Sequence, residues 1–188
     1  MERTIHNLID SGVIEDLSIE KLNCANSQLT SLDGIEKLVN LKILSCPINK
    51  IKSLRGVEKL LKLEVLNCNY NQLTSLEGVE NLIKLKELHC HSNELIFLDH
   101  IENLHNLEEF FLSKNKITSN QMKHLYKLEK LTYIDFSDNP CSSILRTLDA
   151  RAIVKKAKTQ MIKTHLTHTD DKRGEASMMD TGLFDFIH

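Results

Sequence analysis

From Ile19 onward, apolar residues return at fixed intervals along the chain. The pattern L-x-x-L-x-C-x-x-N-x-[LI]-x-x-L-x-G-[IV]-E-x-L starts at Ile19, Leu41, Leu63 and Leu85, a period of 22 residues. A fifth copy starts at Leu107 and is two residues longer, and a sixth starts at Leu131 and stops at Asn139-Pro140. The first half of each copy alternates apolar and polar residues, as in Leu63, Val65, Leu66 and Cys68, which is strand periodicity. The second half spaces its apolar residues by three, as in Leu73, Leu76, Val79 and Leu82, which suits a helical or 3-10 return. Each copy is thus a short strand plus a return, and successive strands stack in parallel. No single copy can bury its own apolar face, whereas a stack can. The pattern predicts an α/β repeat solenoid that leaves one face of an ordered sheet open.

Two polar ladders run through the repeats. Asn49, Asn71, Asn93, Asn115 and Asn139 occupy the ninth position, where the chain leaves the strand. Asn tolerates turn conformations, and its amide can satisfy backbone groups freed there. Ser27 is a weaker version in the first repeat. Gly34, Gly56 and Gly78 serve a later turn, where His100 breaks the pattern. Cys24, Cys46, Cys68 and Cys90 fill the sixth position, which Leu112 and Phe136 take over later. That equivalence predicts a buried, apolar site in which the free thiol acts as a small hydrophobe. The spacing is that of neither a disulfide framework nor a zinc site, and thiols facing the same way off parallel strands pair poorly. A reduced ladder implies a reducing compartment.

The remaining residues flank the stack. Ile5, Leu8 and Ile9 share a helical face that Ser11-Gly12 ends, and Val13, Ile14 and Leu17 follow as a second apolar set. Residues 1–18 therefore read as an N-terminal helical cap, and residues 19–141 as the repeat domain. Residues 142–166 read as a C-terminal helical cap, with Ile144, Leu145 and Leu148 closing the stack, and residues 167–188 as a flexible tail. The 188 residues suit one domain plus a tail, and with 41% hydrophobic residues and no Trp the core is aliphatic. A net charge of −2 gives no argument for nucleic acid. No apolar run approaches the ~18 residues of a membrane span, and residues 1–18 show no secretory signal. With the reduced thiols, this predicts a location in the cytoplasm or another reducing compartment.

The L-x-x-L-x-[LC]-x-x-N-x-L core with its L-x-G-[IV]-E-x-L extension resembles the leucine-rich repeat family. It is similar to the 22-residue class found in bacterial internalins and in phosphatase-one regulatory subunits, over roughly Ile19–Asn139. The resemblance implies a horseshoe whose concave parallel sheet binds protein, and it carries over no catalytic residues. By analogy it also admits an effector delivered by a bacterium into a host cytosol.

Alternation places the third, fifth and seventh repeat positions on the open face, with the eighth at its edge. The fold requires nothing apolar there. Ile43, Val65 and Ile48 with Tyr70 should gather on repeats two and three, and Phe111 with Tyr133 on repeats five and six. Exposed aromatic and aliphatic clusters rimmed by charge are typical binding hot spots. The candidate partner-binding set is Ile43, Val65, Tyr70, His89, His91, Glu109, Phe111, Tyr133 and Asp135. His89 and His91 flank buried Cys90 and raise the idea of a shared metal with Glu87 or Glu109, but a specific site needs three converging ligands, so no metal and no cofactor is expected. No nucleophile elbow, phosphate loop or metalloprotease motif is present. The expectation is a monomeric, non-enzymatic module that binds a protein. The alternative is a peripheral membrane scaffold docking through the basic segment Arg146–Lys163.

Overall fold

The computed structural model describes residues 3–141 and residues 152, 154 and 155. Six short strands, β1 (Lys21–Asn23), β2 (Ile43–Ser45), β3 (Val65–Asn67), β4 (Glu87–His89), β5 (Glu109–Phe111) and β6 (Tyr133–Asp135), form one parallel sheet in sequential order. The register is regular, so that Leu22, Leu44, Leu66, Leu88, Phe110 and Ile134 form one inward row. Returns run through 3-10 turns at Ile35–Lys37 and Val57–Lys59 and a longer one at Ser119–Lys127. Strands repeat at ~4.8 Å, and the bulkier returns on the other side curve the stack so that the sheet lies on its concave side. This is the solenoid that the periodicity predicts.

Backbone pairing continues past the strands. Cys46 N–H donates to the Asn67 carbonyl at 2.8 Å, and Tyr70 N–H to the His91 carbonyl at 2.9 Å, with equivalents in neighbouring repeats. The asparagine ladder then ties each repeat to the one before it. Asn93 donates through Nδ2 to the carbonyls of Cys68 (3.0 Å) and Cys90 (3.1 Å), while its Oδ1 accepts from Leu73 N–H (3.0 Å). Asn49, Asn71, Asn115 and Asn139 repeat this arrangement. Ser27 cannot, and Asn49 accepts from its N–H instead.

The motif's Gly and Glu work as a pair. Gly34 has φ +99° and a Cβ there would lie 2.6 Å from the backbone nitrogen of His6, so both handedness and space demand glycine. Glu36, Glu58 and Glu80 then accept from the N–H of Gly34, Gly56 and Gly78 at 2.7–3.0 Å. His100 takes the same left-handed conformation at φ +76°.

The core is one continuous aliphatic cluster. Cys24, Cys46, Cys68, Cys90 and Cys141 are all free and buried within it. Burial pushes the Cys24 thiol up to about 11 and holds those of Cys46, Cys68 and Cys90 well above the ordinary thiol value. At the N-terminal end, helix α1 (Ile5–Asp10) is held by a capping box between Thr4 and Asn7. Ile5, Leu8 and Ile14 are buried over repeat one, whereas Val13 and Leu17, expected to join them, are exposed. Of the segment 142–166, only Ala152, Val154 and Lys155 are described. They are helical, and Val154 is buried in the core cluster. The remainder of that segment, its basic residues apart from Lys155, and residues 167–188 lie outside the described residues.

Candidate functional site

The sheet's open face carries two outward rows. The third-position row runs Lys21, Ile43, Val65, Glu87, Glu109, Tyr133, and the fifth runs Asn23, Ser45, Asn67, His89, Phe111, Asp135, each in register. Ile43 and Val65 are register partners and half-buried, forming the aliphatic part. The aromatic part lies on β4 to β6. The rings of His89 and Phe111 stack with centroids 4.4 Å apart and planes 19° apart, and Phe111 meets Tyr133 at 4.9 Å and 38°. Tyr133 remains 47% exposed.

The two histidines go to different partners. His89 lies against Phe111 and pairs with the Glu87 carboxylate at 3.2 Å. His91 meets the Tyr70 ring edge-on at 4.7 Å, lies 3.0 Å from Ser113 Oγ through Nδ1, and lies 3.2 Å from Ser92 Oγ through Nε2. Ser113 carries the connection on to Asp135. Burial alone would push the Asp135 carboxyl up, but hydrogen bonds from Ser137 N–H, Ser137 hydroxyl and Ser113 hydroxyl, together with nearby His91, hold it below the usual carboxylate range. Among the described residues, no three His, Cys, Asp or Glu side chains converge to hold a metal ion.

Tyr70 sits at the eighth position with φ +53°, and so does Ile48 at +57°. Asn26, Ser92, Lys114 and Asp138 share this left-handed corner, at φ 51–56°. Asn and Asp suit it, whereas a β-branched residue there is strained. Ile48 is also 56% exposed, so burial does not offset that strain.

Three features escape the sequence reading. The first is the His91–Ser113–Asp135 connection, which spans three repeats and has no local signature. The second is a row of exposed Val39, Leu61 and Ile83 at the turn before the strands, all at the twenty-first repeat position. The third is the exposed pair Ile96 and Phe97 where other repeats carry Thr-Ser or Lys-Ser. Aligning the repeats by position and asking which apolar residues the fold does not need would have found the last two.

A family model described as leucine-rich repeats (2 copies) matches residues 61–104. A solved leucine-rich repeat protein from Leptospira interrogans is similar at 36% identity with a TM-score of 0.56, over 60% of this chain and 29% of that one. Residues 61–104 thus match leucine-rich repeats, and the stack as a whole shares that fold. The leucine-rich repeat ectodomain of the Arabidopsis thaliana receptor kinase GASSHO1/SCHENGEN3, solved in complex with Casparian strip integrity factor 2, is similar at 26% identity and a TM-score of 0.58. That match covers 65% of this chain and 16% of that one. The ectodomain of the receptor kinase SOBIR1, also from Arabidopsis thaliana, shares the fold at 24% identity and a TM-score of 0.52, over 64% of this chain and 70% of that one. The present chain spans under a third of the length of the first two. Its sequence finds no match among curated proteins.

Proposed function

We propose that this leucine-rich repeat chain is a non-catalytic module that binds a protein partner on the concave face of its sheet, with the rings of β4 to β6 at the centre. Leucine-rich repeats form quasi-one-dimensional stacks whose extended surfaces serve recognition. One observation carries the reading: His89, Phe111 and Tyr133 form a continuous line of touching rings on the face where the repeat pattern requires no aromatic group. Such groups carry a disproportionate share of binding free energy, often ~2 kcal/mol or more on truncation. Ile43, Val65, Tyr70, His91, Glu109 and Asp135 complete the surface around it. The module acts as a monomer, and its buried thiols favour a reducing compartment.

The test compares partner recovery from native extract by wild type, by a Phe111→Ala, Tyr133→Ala double variant and by Lys59→Glu on the convex side. The double variant should keep its circular dichroism and lose its partner at least tenfold, and Lys59→Glu should retain it. Retention by the double variant with loss by Lys59→Glu would move the interface to the convex side.

A further inference from the structure

The concave face is charged in a way that stacking does not explain. In the second-position row beside it, signs alternate: Glu20, Lys42, Glu64, Lys86, Glu108. Adjacent repeats there pair at 2.7 Å, Lys42 with Glu20 and Lys86 with Glu64. One position along, the third-position row sets Glu87 directly opposite Glu109 on neighbouring parallel strands. Like charges in register destabilise a sheet. Glu87 pairs with His89 at 3.2 Å, whereas the Glu109 carboxylate has no hydrogen bond or ion pair among the described residues, although its backbone N–H donates to the Lys86 carbonyl.

The surroundings of Glu109 define what would relieve it. On β5 it shares the outward face with Phe111, two residues on, and on β6 its register partner is Tyr133 while that of Phe111 is Asp135. The four side chains make a square, with carboxylates on one diagonal and touching rings on the other. A guanidinium matches this arrangement in both respects. It is planar and stacks on aromatic faces, and its fork of donors reaches carboxylates on either side. An ammonium satisfies the charge but not the planar stacking. An acidic group is repelled, and a neutral one leaves Glu109 desolvated and unpaired.

We propose that the square formed by Glu109, Phe111, Tyr133 and Asp135 is a receptor for an arginine side chain of the partner. The proposal rests on the concave-face reading and narrows it to a partner that presents arginine on an extended or looped segment. Lys21, at the far end of the third-position row on β1, is the one Lys or Arg in the two outward rows, so the face favours a partner whose basic residues meet β5 and β6.

The test uses the full chain and three short peptides, acetyl-Gly-Arg-Gly-amide and its citrulline and lysine counterparts, titrated by NMR. The arginine peptide should shift the Phe111 and Tyr133 ring resonances and bind at least tenfold more tightly than the isosteric, uncharged citrulline peptide, with lysine between them. Glu109→Gln and Asp135→Asn should each remove most of the arginine preference while leaving the melting temperature within a few degrees. Glu87→Gln, outside the square, should keep it. Equal response to arginine and citrulline, or shifts that map away from β5 and β6, overturns the assignment. If that happens while the Phe111, Tyr133 double variant still loses its partner, the concave-face reading stands and only the arginine assignment falls. If the double variant keeps its partner as well, both fall.

Discussion

Ile48 occupies a left-handed corner at φ +57° that disfavours a β-branched residue, and its side chain is exposed. Replacing it with Asn, as at Asn26, should raise unfolding stability by about 1 kcal/mol, read by urea denaturation. If Ile48 belongs to the binding face beside Tyr70, the same change weakens partner binding. Neither the strain nor its position was legible in the sequence, because Asn, Ile, Tyr, Ser, Lys and Asp all stand at that corner and share no property. The cysteine ladder was legible, since Leu112 and Phe136 occupy the equivalent sites. Cys68→Ala should cost about 1–2 kcal/mol, as a small cavity does, with Cys68→Asp costing far more. The native thiols hold their protons above the ordinary value of 9.0, whereas unfolded thiols do not. Their contribution is therefore complete below pH 9 and declines as pH rises from there through the native value, about 11 for Cys24. Denaturation at pH 7, 9 and 10.5 should show this loss, and a Cys46→Ala, Cys68→Ala double variant should show a shallower one.

At the scale of elements, three-residue strands persist because the asparagine ladder locks the turns that follow them. Asn93→Ala leaves the buried N–H of Leu73 without its acceptor, while the carbonyls of Cys68 and Cys90 each lose one of two amide donors and keep Asn71 and Asn115. An unsatisfied buried donor costs ~1–3 kcal/mol, so this change should lower stability by about 2 kcal/mol in chemical denaturation. A loss of under 1 kcal/mol would show that water replaces the amide. The ladder was legible as a turn device from its spacing alone, but its reach into the preceding repeat was not, because repeat spacing says nothing of which neighbour an amide faces. The outward rows were legible for the same reason as the core, since alternation fixes both. That Phe111 and Tyr133 gather was legible, but which rings the two histidines meet was not. His89 ends β4 and His91 follows two residues later, yet each meets a ring of a neighbouring repeat, Phe111 and Tyr70.

At the scale of the molecule, the repeats depend on their ends. Helix α1 covers repeat one through buried Ile5 and Leu8 and through the 2.7 Å bond from His6 N–H to the Asp33 carbonyl. Removing residues 1–17 should expose Leu32 and Ile35, and the shortened chain should aggregate or melt several degrees lower. An unchanged melting temperature would show that the first repeat closes itself. The solenoid as a whole was legible, because a period of 22 residues specifies the stack before any contact is known. The partner was not, since the fold constrains inward residues and leaves the outward ones free to vary. The central claim is that those outward residues on β4 to β6 meet a partner. A photo-crosslinking amino acid placed at Tyr133, and separately at Lys59, tests this most directly in native extract. The account predicts a discrete protein adduct from position 133 that the arginine peptide suppresses, and none from position 59. An adduct from position 59 with none from position 133 would contradict it.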